Sequence, residues 1–411
     1  MKPLLVTLGT ISFACALIAQ FASQGIALFL REAGASSSLI ALIFIAGIPF
    51  TLRFIWAPLI DRFRVRGQPR FRIWILGSQL AVSLLLAALL TTNPETDAIQ
   101  IIVIAVLLFI ALGTALTSLG GMIAEGLDKR DHSKGASVQA AASALAGFSL
   151  GAGVLYLLGS LGWQSVVATL LICSVVLLVI AYSFLSFGPA LDPETKPSLL
   201  SQFSILRQKE VSRLFIVSSL VSASIVVPFG AKSVLLIDAG FSVSESGLIS
   251  LVFGNLLGFT GALLAKPLID LFGGFRVLIG IGSLNVIAAL AFAFLALNEI
   301  GPILIVASIL WANLVVYATF TANRTILLGL CRPGRQATDL ASFTSLEALV
   351  FLVIAGVSTS LLDSLGLSII LCFAGLISSA GLFLGLQYVQ LFENESRRPV
   401  DDCARSILNK K

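Results

Sequence analysis

Of 411 residues, 57% are hydrophobic and only 11% charged, which excludes an ordinary soluble globular protein, where about a quarter of residues are charged. With a mean hydropathy of +1.03, the apolar runs between charges are long enough to cross a bilayer, each crossing taking roughly 20 residues. The net charge of +5 then reads as loop lysines and arginines that set topology, not as a nucleic-acid-binding surface.

The chain opens with Lys2 and an apolar run that reaches Leu30, too long for the apolar core of a signal peptide, so the first span is expected at 4–30. Apolar runs between charged or Pro/Gly-rich breaks predict further spans at 38–60, 73–91, 99–124, 136–158 and 165–188. After a polar, proline-containing connection they resume at 212–236, 246–268, 277–297, 302–330, 339–361 and 368–391. The expectation is an all-α polytopic membrane protein of 12 transmembrane helices. Its six-helix halves are 1–188 and 212–392, with a linker at 189–211 and a tail at 393–411. Basic residues gather in alternate connections: Arg62, Arg64, Arg66, Arg70 and Arg72 after the second span, Lys129, Arg130 and Lys134 after the fourth, and Lys196, Arg207 and Lys209 in the linker. Arg276, Arg332 and Arg335 continue the pattern, while the other connections hold little beyond Arg31. The positive-inside rule places linker and both termini in the cytoplasm.

Cys15, Cys173, Cys331, Cys372 and Cys403 show no ligand spacing, so no metal or cofactor is expected. No nucleophile and base fall into a catalytic pattern, which argues against an enzyme. The sole histidine, His132, lies in the basic stretch GLDKRDHSKG and is expected to be solvated. Glycine-rich LGTALTSLGG in the fourth span reads as helix packing rather than nucleotide binding.

One short phrase occurs twice. FIWAPLIDRF at 54–63 is echoed by LAKPLIDLF at 264–272, with Pro58 and Pro267, and Asp61 and Asp270, both separated by 209 positions. LIALIF at 39–44 and LISLVF at 248–253 share that offset, and REAG at 31–34 precedes the first as IDAG at 237–240 precedes the second. The second span therefore repeats as the eighth, together with its flanking turns. Two parallel halves of this kind are an architecture of secondary transporters.

The loop after the second span resembles the signature of the major facilitator superfamily, G-x-L-a-D-r-x-G-R-[KR], with Leu59, Asp61, Arg62 and the basic run to Arg72 in place and Trp56-Ala57-Pro58 where the leading glycine would stand. That departure resembles the muropeptide-permease (AmpG-type) branch, whose relatives include permeases for siderophores of the rhizobactin and pyochelin kind. Phe50 to Trp56, Ala124-Glu125-Gly126-Leu127 and Gln336-Ala337-Thr338-Asp339 are similar to further motifs of the branch, although its T-Q-D before the fourth-span motif is replaced here by Leu119-Gly120-Gly121. The resemblance implies a monomeric, proton-coupled importer in a bacterial inner membrane. Its substrate would be a bulky polar small molecule, a siderophore first and a muropeptide next, because twelve spans suit the former permeases. A drug or sugar exporter, and a membrane enzyme or transport-inactive receptor on the same scaffold, are the alternatives.

Charges inside a bilayer cost several kcal/mol, from about 2.5 upward, and so mark candidate sites. Arg53 lies eight residues before Asp61, about 12 Å into the membrane, where it either meets substrate or braces the Asp61 loop. Glu347 is the candidate proton carrier, unless it serves to neutralise Arg324; Asp339 is the other acid within reach of Arg324. Glu125 is either a proton site or, with Asp61, Arg62 and Asp270, part of a cytoplasmic gate in which Asp61 caps a helix of the other half. Lys232 near the outer end of the seventh span could attract an anion. Gln20 and Gln24, and likewise Asn313 and Tyr317, are spaced i, i+4 and so share a helix face; these four complete the expected cavity lining.

Overall fold

The computed structural model describes residues 2–63, 69–150, 162–184, 202–230, 232–296 and 301–396. Most of the expected linker, the tail from Arg397, the end of the fifth span, and Arg64 and Arg66 lie outside the described residues. What is described is helical nearly throughout, as a bilayer requires: without water, each backbone N–H and C=O must find its partner within the segment. In chain order the first part runs α1 (Lys2–Gln20), α2 (Ile26–Glu32), α3 (Ser37–Ala46), α4 (Ile48–Thr51), α5 (Ala57–Arg62), α6 (Arg72–Leu90), α7 (Ala98–Gly126), α8 (His132–Phe148) and α9 (Trp163–Phe184). The second runs α10 (Lys209–Val221), α11 (Ala223–Gly230), α12 (Lys232–Asp238), α13 (Val243–Gly247), α14 (Gly254–Phe272), α15 (Gly274–Ala296), α16 (Pro302–Leu330) and α17 (Gln336–Ser396). The long α17 is divided at Gly366, whose φ of 75° is a left-handed conformation that glycine adopts without a Cβ penalty, giving spans at Gln336–Leu362 and Ser364–Val389.

Among the described residues nine helices are long and apolar enough to cross a bilayer, or ten if the pair α10 and α11, bent by 47°, forms one span. Two expected spans do not appear in that set. One, 136–158, is only partly described. The other, 38–60, is broken into α3, α4, a 3-10 turn at Arg53–Ile55 and α5. Pro49 and Pro58 stand in the first turns of α4 and α5, and each lacks the N–H that would continue the preceding helix. In the repeat, Gly258 takes the place of Pro49 and α14 runs unbroken, with Pro267 inside it. The two copies thus share a sequence pattern but not a continuous helix.

Large apolar side chains on the outer surface, such as Ile99, Ile303 and Phe383, are exposed, as lipid-facing residues are. Inside, small residues let helices approach closely. On α14, Gly254, Gly258 and Gly261 form a seam against Asn313, Tyr317 and the Leu314 carbonyl of α16, where a Cβ on Gly261 would stand 2.1 Å from that oxygen. The parts before and after the central connection meet along two seams: α8 packs on α14 and α16, and α17 packs on α5 and α7.

Candidate functional site

Where α17 faces the broken second span, a cavity of about 400 Å³ opens among residues of both parts of the chain. Thr51 and Arg53 come from the first part; Ser218, Asn323, Arg324, Thr344 and Glu347 come from the second. The break after α4 is what turns Arg53 toward it: the side chain leaves the 3-10 turn, donates from Nη2 to Thr344 Oγ1 at 3.0 Å, and lies over the Phe50 ring at 4.7 Å. Glu347, half-buried, accepts from Ser218 Oγ at 2.8 Å and from Asn323 Nδ2 at 3.1 Å; Asn323 also donates to Ser218. A carboxyl held by two neutral donors can carry a proton without breaking an ion pair.

The expected pairing of Arg324 with Glu347 is present as electrostatic attraction and not as a direct ion pair. Arg324 is 7% exposed, yet it makes no hydrogen bond or ion pair among the described residues, and its Nε is buried without an acceptor. Glu347 is turned to Ser218 and Asn323, and Asp339 is taken by Arg332, whose Nε donates to Asp339 Oδ2 at 2.8 Å and whose backbone N–H does so at 3.0 Å. The Arg324 guanidinium lies against α7 in room left by Gly120, where a Cβ would stand 3.0 Å from Nη2.

Of the other expected cavity residues none lines this space. Gln20 donates to the Ser143 carbonyl at 3.2 Å, and Gln24 lies within a π-helical turn at Phe21–Gly25. Lys232 sits 4.7 Å from the Phe229 ring centroid. Asn313 donates to the Ile309 carbonyl at 2.9 Å, while Tyr317 donates to Asn255 Oδ1 at 3.0 Å. The i, i+4 face of α16 thus fills the glycine seam of α14 instead of facing the cavity.

The remaining candidates gather at one end of the bundle. Asp61 accepts from the N–H groups of Ala337 at 3.2 Å and Thr338 at 2.7 Å, and from Thr338 Oγ1 at 2.6 Å. It meets the first turn of α17, where N–H groups have no partner within the helix and the helix dipole favours negative charge. Arg70 binds it from the other side: Nη2 reaches Asp61 Oδ1 at 2.9 Å and the Gly334 carbonyl at 2.6 Å, and Nη1 reaches Glu125 Oε2 at 3.3 Å and Gln336 Oε1 at 3.1 Å. The bridging cation is therefore Arg70; Arg62, beside Asp61, is exposed. In the repeat, Asp270 accepts from Ser133 Oγ at 2.7 Å in the first turn of α8, and Lys266 is its ion-pair partner.

The sequence reading also passed over Ser218 and Thr344, whose signal is only that small polar residues interrupt apolar spans. His132 is corrected too. It is buried, with Nε2 3.1 Å from the Leu127 carbonyl, and burial pushes its pKa below the ordinary value. Among the described residues no group of His, Cys, Asp and Glu could hold a metal.

This chain is similar to an uncharacterized protein of Haemophilus influenzae, at 26% identity with 84% of each chain covered. It is also similar to the anhydromuropeptide permease of Escherichia coli K12, at 22% identity over 85% of this chain and 72% of that one. Its fold matches that of the human organic anion transporter MFSD10, with a TM-score of 0.70 and 17% identity over 93% of this chain and 98% of that one. The family model of the Major Facilitator Superfamily matches residues 8–355, and with a cavity lined from both parts of the chain to accompany that match, the chain belongs to this superfamily of membrane transporters.

Proposed function

We propose that this protein is a proton-coupled importer of a bulky polar compound in a bacterial inner membrane, with a muropeptide as its preferred substrate. The observation that carries the reading is Glu347, a carboxyl held by neutral donors in a cavity that also receives Arg53 from the other part of the chain. A substrate there touches both parts, as rocking around a fixed site requires, and protonation of Glu347 changes the charge of the space the substrate shares. The similarity to a permease named for anhydromuropeptides moves the muropeptide ahead of the siderophore, which stays the second reading on the Trp56-Ala57-Pro58 resemblance.

At the end of the bundle expected to face the cytoplasm, Asp61, Arg70 and Glu125 form the gate of the resting state, and Asp270 with Ser133 its lighter counterpart. The groups facing Glu347 are Ser218 from α10 and Asn323 and Arg324 from α16, with Arg53 across the cavity. The test is uptake into proteoliposomes, comparing labelled anhydromuropeptide and a ferric siderophore with and without an imposed pH gradient. Gradient-driven uptake of the former is expected in the wild type and its loss in Glu347→Gln, with exchange of preloaded substrate kept. Gradient-driven uptake by Glu347→Gln at the wild-type rate would remove the residue from coupling.

A further inference from the structure

Arg324 is a buried cation that no carboxylate touches: its counter-charge, Glu347, acts on it only through the field across the cavity, and its Nε has no acceptor. Removing such a charge from water is expensive unless it is paired, and the neighbouring acids are turned elsewhere: Glu347 to Ser218 and Asn323, Asp339 to Arg332. Gly120 leaves the room in which the guanidinium lies, and Arg53 reaches the same cavity from the opposite part of the chain. Around them Asn323 Oδ1, Ser219 Oγ and Thr319 Oγ1 are buried without hydrogen-bond partners among the described residues, while Phe320 and Phe351 supply an apolar wall.

We propose that Arg324, with Arg53 facing it, is the subsite for a carboxylate group of the substrate, so that the transported compound is an amphipathic organic acid. The inference rests on the transporter reading above and narrows its substrate to a chemical class. A guanidinium offers paired N–H donors in a plane, a geometry that a carboxylate matches with both oxygens. Two guanidinium groups on opposite sides of the cavity let one carboxylate draw both parts of the chain toward it. An ionised Glu347 competes with the incoming anion for the same positive field, whereas a protonated one leaves that field to the substrate. Proton and anion therefore favour each other's binding.

The experiment uses the purified full-length protein in detergent and measures equilibrium binding to three matched pairs. These are anhydromuropeptide with free peptide carboxylates and its fully amidated form, a ferric carboxylate siderophore and its amide, and decanoate with decanamide. In at least one pair the acid is expected to bind about tenfold or more tighter than the amide, the value of a hydrogen bond to charge. Arg324→Gln is expected to abolish that preference, with Arg324→Lys intermediate. Equal binding of acid and amide in every pair, or binding of none, overturns the proposal, as does a preference that survives in Arg324→Gln. Should that variant fail to fold, the wild-type comparison still decides. A preference in the siderophore or decanoate pair without muropeptide binding keeps the carboxylate subsite and removes the muropeptide.

Discussion

Arg70 is 4% exposed between Asp61 and Glu125, and taking its charge away removes the counter-ion of the buried Asp61 carboxylate. Breaking such a group from one side costs about 3–5 kcal/mol. Arg70→Gln is expected to lower the unfolding temperature of the solubilised protein clearly, and Asp61→Asn in the same chain to restore part of the loss. A double variant no more stable than Arg70→Gln would show that Asp61 does not depend on that arginine. His132 makes a prediction in pH. Burial depresses its pKa from the ordinary 6.5, so the unfolded chain takes up the proton first. Its contribution is complete above about pH 6.5 and fades as pH falls toward the folded value. Thermal unfolding followed from pH 7.5 to 5.5 should show this slope, and His132→Gln should flatten it. Asp61 and Asp270 could be read in advance because they stand at the same point of a repeated phrase. Arg70 could not, because the connection holds several arginines and nothing local says which one will be buried. Nor does i, i+4 spacing say what a face meets: Asn313 and Tyr317 share a face, but that face belongs to the α14 seam.

At the scale of helices the α14–α16 seam is the tightest approach described above. Gly261→Ala puts a Cβ 2.1 Å from a backbone oxygen, so the helices must separate, and a loss of about 1–3 kcal/mol is expected from thermal unfolding. Gly280 on α15 has nothing within 4 Å of its would-be Cβ, and Gly280→Ala should instead be neutral or gain about 0.5–1 kcal/mol. Equal losses at both positions would mean that glycine acts there through chain flexibility rather than contact. The helices themselves were legible, because hydropathy and length decide a bilayer crossing almost alone. The fragmentation of the second span was not. Its prolines are visible, but a proline can also be carried within a helix, as Pro267 is in α14, and only the neighbouring helices determine which occurs.

Across the whole molecule the repeat pairs the first copy with α17 and the second with α8. Motion between the two parts must part both contacts. In a cysteine-free background, a Ser133→Cys and Asp270→Cys pair joined by a short bifunctional reagent is expected to stop net uptake while substrate binding persists, and a cleavable reagent should allow rescue. Unchanged uptake with complete cross-linking would exclude movement at that corner. Superfamily and duplication were readable from the sequence because both are patterns in one dimension. The meeting of Arg53 with Arg324 and Glu347 was not, since it joins residues from opposite ends of the chain across a cavity that no local pattern announces.

The two aspartates also differ in how they meet dissolved ions. The Asp61 side chain is 0% exposed, while that of Asp270 is 41% exposed with Lys266 at 33%. Mobile ions screen charges in contact with water over about 10 Å at 0.1 M and about 3 Å at 1 M, and reach buried pairs far less. Lys266 belongs to the same helix as Asp270, but Lys134 of α8 attracts Asp270 across the corner, so ionic strength should weaken the α8 corner and leave the α17 corner intact. The order in which the two corners weaken becomes a matter of the surrounding electrolyte, with the wet corner expected to yield first and the dry one to hold.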